Sequence, residues 1–254
     1  MPNSKERFTS RVSDYVKYRP TYPPQVLQTL KSDFNLQPFH QVADVGSGTG
    51  ISTELFLKNG NTVFAIEPNE KMRQQAEDIL NTYPTFKSLN GSSEKTSLTN
   101  DSIDFIACAQ AFHWFEPNST KMEFQRILKS GGCVTILFND RKSTGSPFSV
   151  RYEKLLKTYS TDYQIVNHRN IDQQRLLSFL GPYQEFNFPN HQDFDEEGLL
   201  GRLKSSSYSL EEGHPGFKDM VQQIKLIFNE TQSNGFIRME YQTQMYCAIW
   251  SKES

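Results

Sequence analysis

Along the first half of the chain, apolar residues fall into short runs. These are separated by longer segments in which apolar positions recur every three or four residues. Short runs suit strands and the periodic segments suit amphipathic helices, so their alternation predicts a parallel sheet with helices on both faces. The run QVADVG (41–46) predicts strand one, and GISTELFLKNG the helix after it, closed at Gly60. NTVFAIE (61–67) predicts strand two. NEKMRQQAEDILNTYP follows as a helix capped by Asn69 and stopped before Pro84. TFKSLNGS (85–92), SIDFIACAQA (102–111) and GGCVTILFND (131–140) supply strands three to five, with a helix over STKMEFQRILKSGG that its glycine pair ends.

Beyond Asp140 the rhythm changes. SVRYEKLLKTYSTDYQIV, DQQRLLSFL and DEEGLLGRLKS have helical periodicity, with one strand candidate, YQEFNFPNHQDF (183–194), among them. This departure predicts a helical cap inserted after strand five. GFKDMVQQIKLIFNETQ (216–232) then gives a last helix, and FIRMEYQTQMYCAIW (236–250) a closing strand. The expectation is a single doubly wound α/β domain with a seven-stranded, mostly parallel sheet. Its parts are a lid over 1–35, a core over 36–140, a cap over 141–215, and a closing helix and strand over 216–254. The segment holding Tyr15, Tyr18, Arg19, Pro20 and Tyr22 reads as an ordered lid.

Composition narrows the partners. A net charge of −2 over 254 residues, with Lys and Arg scattered, gives no field for a phosphate backbone, so no nucleic-acid partner is expected. The polar N-terminus has no signal-peptide core, and no run of eighteen apolar residues is present, which predicts a soluble cytoplasmic protein without a membrane partner. Cys108, Cys133 and Cys247 lack zinc or redox spacing and read as buried small hydrophobes, while His168, His191 and His214 have no ligand spacing, so no metal site is expected. Either a monomer or a homodimer suits this composition.

The candidate chemistry starts at VADVGSGTGIS (42–52). A strand that ends in glycines and runs into a helix brings unpaired amides and a positive dipole end to a ligand at the strand's carboxyl edge. Gly46 and Gly48 permit the tight turn, and Gly50 lets helix and strand pack. Glu67, 21 residues beyond Gly46, closes strand two where a carboxylate can accept both hydroxyls of a ribose. Neither GxGxxG nor GxxxxGK[ST] can be written from Gly46, which argues against a dinucleotide fingerprint and against a P-loop.

Asp44 with VGSGTG, EPNEKM after strand two, GSSEKTSL after strand three and AQAFHWF after strand four resemble, in order and spacing, the motifs of class I S-adenosylmethionine-dependent methyltransferases. The pattern is similar to the small-molecule branch that includes trans-aconitate methyltransferases, and YVKYRPTYP and SSSY extend the likeness over nearly the whole chain. The resemblance implies a Rossmann-like class I fold with S-adenosylmethionine as cofactor. It also implies a small-molecule acceptor, methylated on a carboxylate or hydroxyl oxygen by in-line transfer. Gly46, Ser47, Gly48 and Gly50 would cradle the methionine part, with Asp44 holding the loop or the amino group. Glu67 would take the ribose, and Pro68 and Met72 the adenine face. Ser92, Ser93 and Glu94 would read the adenine edge, through a hydroxyl or backbone contact. Gln110 and Ala111 would pass the methionine end. Tyr18 and Arg19 would close over the cofactor, and His113 and Trp114 are the catalytic candidates. Arg141, Ser206, Ser207 and Tyr208 would face the acceptor. An NAD-linked dehydrogenase and an inactive cofactor-binding relative stay open as other readings.

Overall fold

The computed structural model describes residues 17–160, 163, 173–206 and 208–251. Tyr15, His168 and Ser207, singled out above, lie outside these residues, as does the end of the first helix predicted after Asp140. Helices and strands alternate from α1 (Pro24–Asp33) through β1 (Gln41–Val45), α2 (Ile51–Lys58), β2 (Thr62–Ile66) and α3 (Glu70–Leu80) to β3 (Phe86–Leu89), which a loop joins to β4 (Ile103–Ala109). Then come α4 (Pro117–Ile127), β5 (Leu128–Arg141), α5 (Pro147–Tyr159), α6 (Gln173–Leu180), β6 (Gln184–Phe194), α7 (Glu196–Lys204), α8 (Phe217–Thr231) and β7 (Ile237–Trp250).

Among the described residues seven strands form one sheet in the order β3-β2-β1-β4-β5-β7-β6. Strands β1 to β5 pair in parallel, while β7 lies antiparallel to both β5 and β6. The order reverses beside β1, where β2 lies to one side and β4 to the other. Crevices at such a switch point are where α/β sheets hold ligands. β1 and β2 run in register from Gln41↔Thr62 to Val45↔Ile66, so both strands end at one edge and release their loops together. Asn69 caps α3 as predicted, its Oδ1 accepting from the Met72 amide at 3.0 Å.

The glycine pair 131–132 behaves differently from its prediction. α4 ends at Ile127, and Leu128 already pairs with Ile103 as the start of β5. The next pairing is Phe105↔Cys133, so the surplus residues of β5 form an irregularity that contains both glycines. Gly131 takes φ +78, and a Cβ on Gly132 would sit 2.7 Å from the Leu128 side chain and 3.0 Å from the Asp104 carbonyl. The pair therefore absorbs a register shift and does not end a helix.

Two apolar clusters cover the two faces of the central sheet. One holds Ile106, Cys108, Phe112, Phe124 and Phe179, and the other Leu30, Val42, Phe56, Phe105 and Met245. A third cluster, with Tyr152, Leu156, Leu199, Ile224 and Met239, joins α5, α7 and α8 to the far halves of β6 and β7. It fixes α7 beside the carboxyl edge of the sheet. All three cysteines are buried and free. No helix among the described residues is long and apolar enough to cross a membrane.

Candidate active site

A cleft runs along the carboxyl edge of the sheet, from the loops after β2 and β3, past β1 and β4, to the ends of β5 and β7. Its first half is built from backbone. Gly46, Gly48 and Gly50 all have positive φ (71°, 56° and 88°). A Cβ at Gly46 would lie 2.6 Å from the Ala111 Cβ, and one at Gly50 would lie 2.5 Å from Leu80 Cδ1, so both positions require glycine for packing as well as for turning. The Gly46 and Ser47 amides donate to the Ile66 carbonyl at 2.9 and 3.1 Å, which ties the turn to the end of β2. Helix α2 begins at Gly50 without a side-chain cap, and Thr49, Ile51 and Ser52 at its start line the cleft.

Glu67 faces this turn. Its carboxylate accepts from the Gly48 amide at 2.9 Å and from the Asn69 amide at 2.8 Å, one bond on each oxygen, and these bonds fix its orientation. Burial pushes its pKa up, against the lowering effect of those two amides. Asp44 is fully buried beneath the turn and does not line the cleft. Its Oδ2 accepts from Ser52 and Thr53 hydroxyls at 2.7 and 2.6 Å, so it braces the first turn of α2, while its Oδ1 has no hydrogen-bond partner among the described residues. Gly50 likewise packs behind the lining.

Ser92, Ser93 and Glu94 form a tight turn closed by paired backbone bonds between Ser92 and Lys95. Glu123 anchors that turn from α4, accepting from the Thr96 amide and hydroxyl at 2.7 and 2.6 Å. Burial raises the Glu94 pKa, but the Ser92 and Ser93 hydroxyls outweigh it and hold the carboxyl below its ordinary value. Pro68 and Met72 lie between the two loops on the cleft wall. Past β4, Gln110 sits at φ +57, a strained conformation for a non-glycine residue, and steers Ala111, His113 and Trp114 to the cleft. His113 and Trp114 are neighbours in a short helical turn, ring centroids 4.7 Å apart.

The far half is built from side chains. Arg19, Arg141, Tyr163, Arg202, Tyr208 and Tyr241 converge there from six separate stretches. The segment through Arg19 is strapped down: Asn139 and Asn190 side-chain amides donate to the Thr21 carbonyl at 3.3 and 2.8 Å, and Arg19 Nη2 donates to the Ser205 carbonyl at 2.8 Å. Tyr18 does not line the cleft. Its ring lies on Gly201 of α7, where a Cβ would approach it to 2.0 Å, so it docks the strap and leaves the lining of the cleft to Arg19 and Tyr22. Arg141 pairs with Glu153 at 2.5 Å and donates to the Tyr163 hydroxyl at 3.0 Å. Arg202, Tyr163, Tyr241 and Asn139 were missed from the sequence. The available signal was an arginine on the apolar face of a helix, since Leu199, Arg202 and Leu203 share one side of α7.

Residues 43–136 match a family described as a methyltransferase domain. Over that stretch the chain is similar to methyltransferase domains. An uncharacterized methyltransferase of Mycobacterium tuberculosis is 33% identical over 134 residues, 53% of this chain and 52% of that protein. One of Schizosaccharomyces pombe is 27% identical over 139 residues, 54% of each. The chain spans about half the length of the curated relatives it matches. Among solved structures, a candidate type II methyltransferase from Anaeromyxobacter dehalogenans superposes with a TM-score of 0.65 at 17% identity, over 91% of this chain and 98% of that one. Phosphoethanolamine N-methyltransferase 2 of Haemonchus contortus, in complex with S-adenosyl-L-methionine, gives 0.57 at 13% identity, over 98% and 60%. At such identities these structures support the Rossmann-like fold alone.

S-adenosyl-L-methionine is bound in the Haemonchus contortus structure, and the donor set of this cleft is one that would suit such a molecule. The cleft offers a glycine turn into which a Cβ would intrude, an immobilised carboxylate opposite, and acidic and hydroxyl groups without a phosphate clamp.

Proposed function

We propose that the protein is an S-adenosylmethionine-dependent methyltransferase acting on a small-molecule acceptor, with the methyl passed to a carboxylate or hydroxyl oxygen. The observation that carries this reading is Glu67, held by the Gly48 and Asn69 amides directly across from the glycine turn. That arrangement suits a ribose and an amino-acid tail joined through one nucleoside. The cofactor supplies a methyl group already activated on a sulfonium.

The residues of the chain divide the remaining work. Gly46, Ser47 and Gly48 cradle the methionine part, with Gly50 and Asp44 holding that turn from behind. Glu67 takes the ribose hydroxyls. Pro68 and Met72 lie against the adenine face, and Ser92, Ser93 and Glu94 meet its edge. Gln110 and Ala111 close the wall by the methionine end, and Arg19, docked through Tyr18, covers it. Positioning is the main contribution, because holding an acceptor in line at near-contact distance is worth about 7–11 kcal/mol. Trp114 offers an aromatic wall beside the sulfonium, worth about 0.5–2 kcal/mol. His113 stands where it can accept a proton from a hydroxyl acceptor, and a carboxylate acceptor needs no base. The cap of α5, α7 and α8 shapes the acceptor end. We place the activity in the cytoplasm, on a free metabolite.

The test is to incubate a metabolite extract with the protein and cofactor labelled in its methyl group, then to read products by mass spectrometry. A labelled methyl ester or ether is expected. Cofactor binding without any labelled product would favour a binding-only relative, and tighter binding of NADH than of S-adenosylmethionine would overturn the reading.

A further inference from the structure

Two carboxylates meet across one turn of backbone at the glycine end of the cleft. Asp44 and Glu67 lie at the ends of neighbouring strands, Asp44 beneath the Gly46–Gly48 turn and Glu67 bonded to its Gly48 amide at 2.9 Å. Asp44 is fully buried. Its hydrogen bonds among the described residues come from two hydroxyls of α2, Ser52 at 2.7 Å and Thr53 at 2.6 Å, both on Oδ2. No cation faces it among the described residues. β4 contributes Cys108, a thiol that burial and the Asp44 charge push well up and keep neutral, and β2 leads to Glu67, a like charge on which Asp44 acts. Of the two acids, Arg73 of α3 acts on Glu67, with Nη1 donating to the Glu67 main-chain carbonyl at 3.0 Å. Two hydroxyl bonds do not replace the water that a carboxylate loses on burial, so the acid form of Asp44 is favoured.

Ser52 connects this acid to the cleft. Its hydroxyl donates to Asp44 Oδ2, and the residue itself lines the cleft at the start of α2, beside Thr49 and Ile51. On the cofactor reading, the amino-acid tail that settles on the Gly46–Gly48 turn brings an α-ammonium over the buried acid. We propose that Asp44 holds a proton in the free protein and yields it to solvent through Ser52 when that ammonium docks, which makes cofactor binding proton-linked. The Asp44 O–H bond breaks, the proton passes to bulk water by exchange at the Ser52 hydroxyl, and the carboxylate charge left behind is matched by the ammonium. A cation beside a buried carboxylate favours its ionised form. Burial raises the Asp44 pKa to about 6, so below that pH binding must expel the proton and is weakened, while above it the acid is already ionised. Affinity should therefore rise about tenfold from pH 5 to pH 7.5. This rests on the reading of the cleft as a cofactor site.

The test titrates the full chain with S-adenosylhomocysteine by calorimetry, at pH 6 in MES and in bis-Tris and at pH 7.5 in HEPES and in Tris. The different ionisation heats of the paired buffers reveal protons released on binding. About half a proton per site is expected from Asp44 at pH 6, and less than about a tenth at pH 7.5. 5′-Methylthioadenosine, which keeps the adenosine and lacks the amino-acid tail, should bind with a release lower by about that half proton. In Asp44→Asn the S-adenosylhomocysteine release should drop to the methylthioadenosine level, and the affinity should lose its rise between pH 5 and pH 7.5. Equal release for the two ligands, or equal release in Asp44→Asn and the wild type, overturns the inference and leaves the cofactor reading standing. Absent binding of S-adenosylhomocysteine overturns both. Should Asp44→Asn fail to fold or methylthioadenosine fail to bind, a wild-type release that is the same at pH 6 and pH 7.5 overturns the inference.

Discussion

The two ends of the cleft are made in different ways. At the β1–β2 end the contacts come from backbone amides and one fixed carboxylate, drawn from residues 44–52 and 67–72 at the ends of two strands in register. At the β5–β7 end they come from arginine and tyrosine side chains brought from residues as far apart as Arg19 and Tyr241. Backbone geometry tolerates little change, because any Cβ at Gly46 meets Ala111. Side-chain lining can be exchanged residue by residue without moving a strand. A fold that keeps one cofactor and varies its acceptor would place its rigidity and its freedom in this way.

The comparison breaks most sharply at Gly46. Gly46→Ala puts a methyl 2.6 Å from the Ala111 Cβ at φ +71, and should cost about 2–4 kcal/mol of stability. S-adenosylhomocysteine affinity should fall by about a hundredfold or more. Denaturant unfolding and calorimetry read the two effects. A smaller loss is expected from Glu67→Ala, which should weaken the cofactor at least about tenfold with the fold intact. Equal cofactor affinity would remove the ribose role.

The smallest effect is on stability. Burial raises the Asp44 pKa to about 6, in spite of the Thr53 and Ser52 hydroxyls that lower it. The folded state thus holds this proton more tightly than the unfolded chain. The Asp44 contribution to stability is full below about pH 4 and is lost as the pH rises through about 6. Asp44→Asn should erase that slope and raise stability at pH 7 by about 1–3 kcal/mol, read by urea unfolding across pH 4.5–8.

The same contrast decides what was legible in the sequence. Strands β1 to β4 and the cap at Asn69 follow from local periodicity and turn chemistry, and the glycine turn lies in one short stretch. Where tertiary pairing overrides local signals, the reading slipped. Gly131 and Gly132 read as a helix end because nothing local reveals that Leu128 has already paired with Ile103. Arg202 and Tyr241 were hidden for the same reason, since their contact joins α7 to β7 across 39 residues of chain. Tyr18 was legible as an ordered aromatic, but its partner, the bare face of Gly201, was not.

The most direct measurement of the central claim is a crystal structure of the protein with S-adenosylhomocysteine. The account predicts the ribose hydroxyls on the Glu67 carboxylate, the amino-acid tail on the Gly46–Gly48 turn, and the sulfur directed toward Arg202. A nucleoside lodged away from Glu67, or a sulfur facing away from the arginine end, would contradict it.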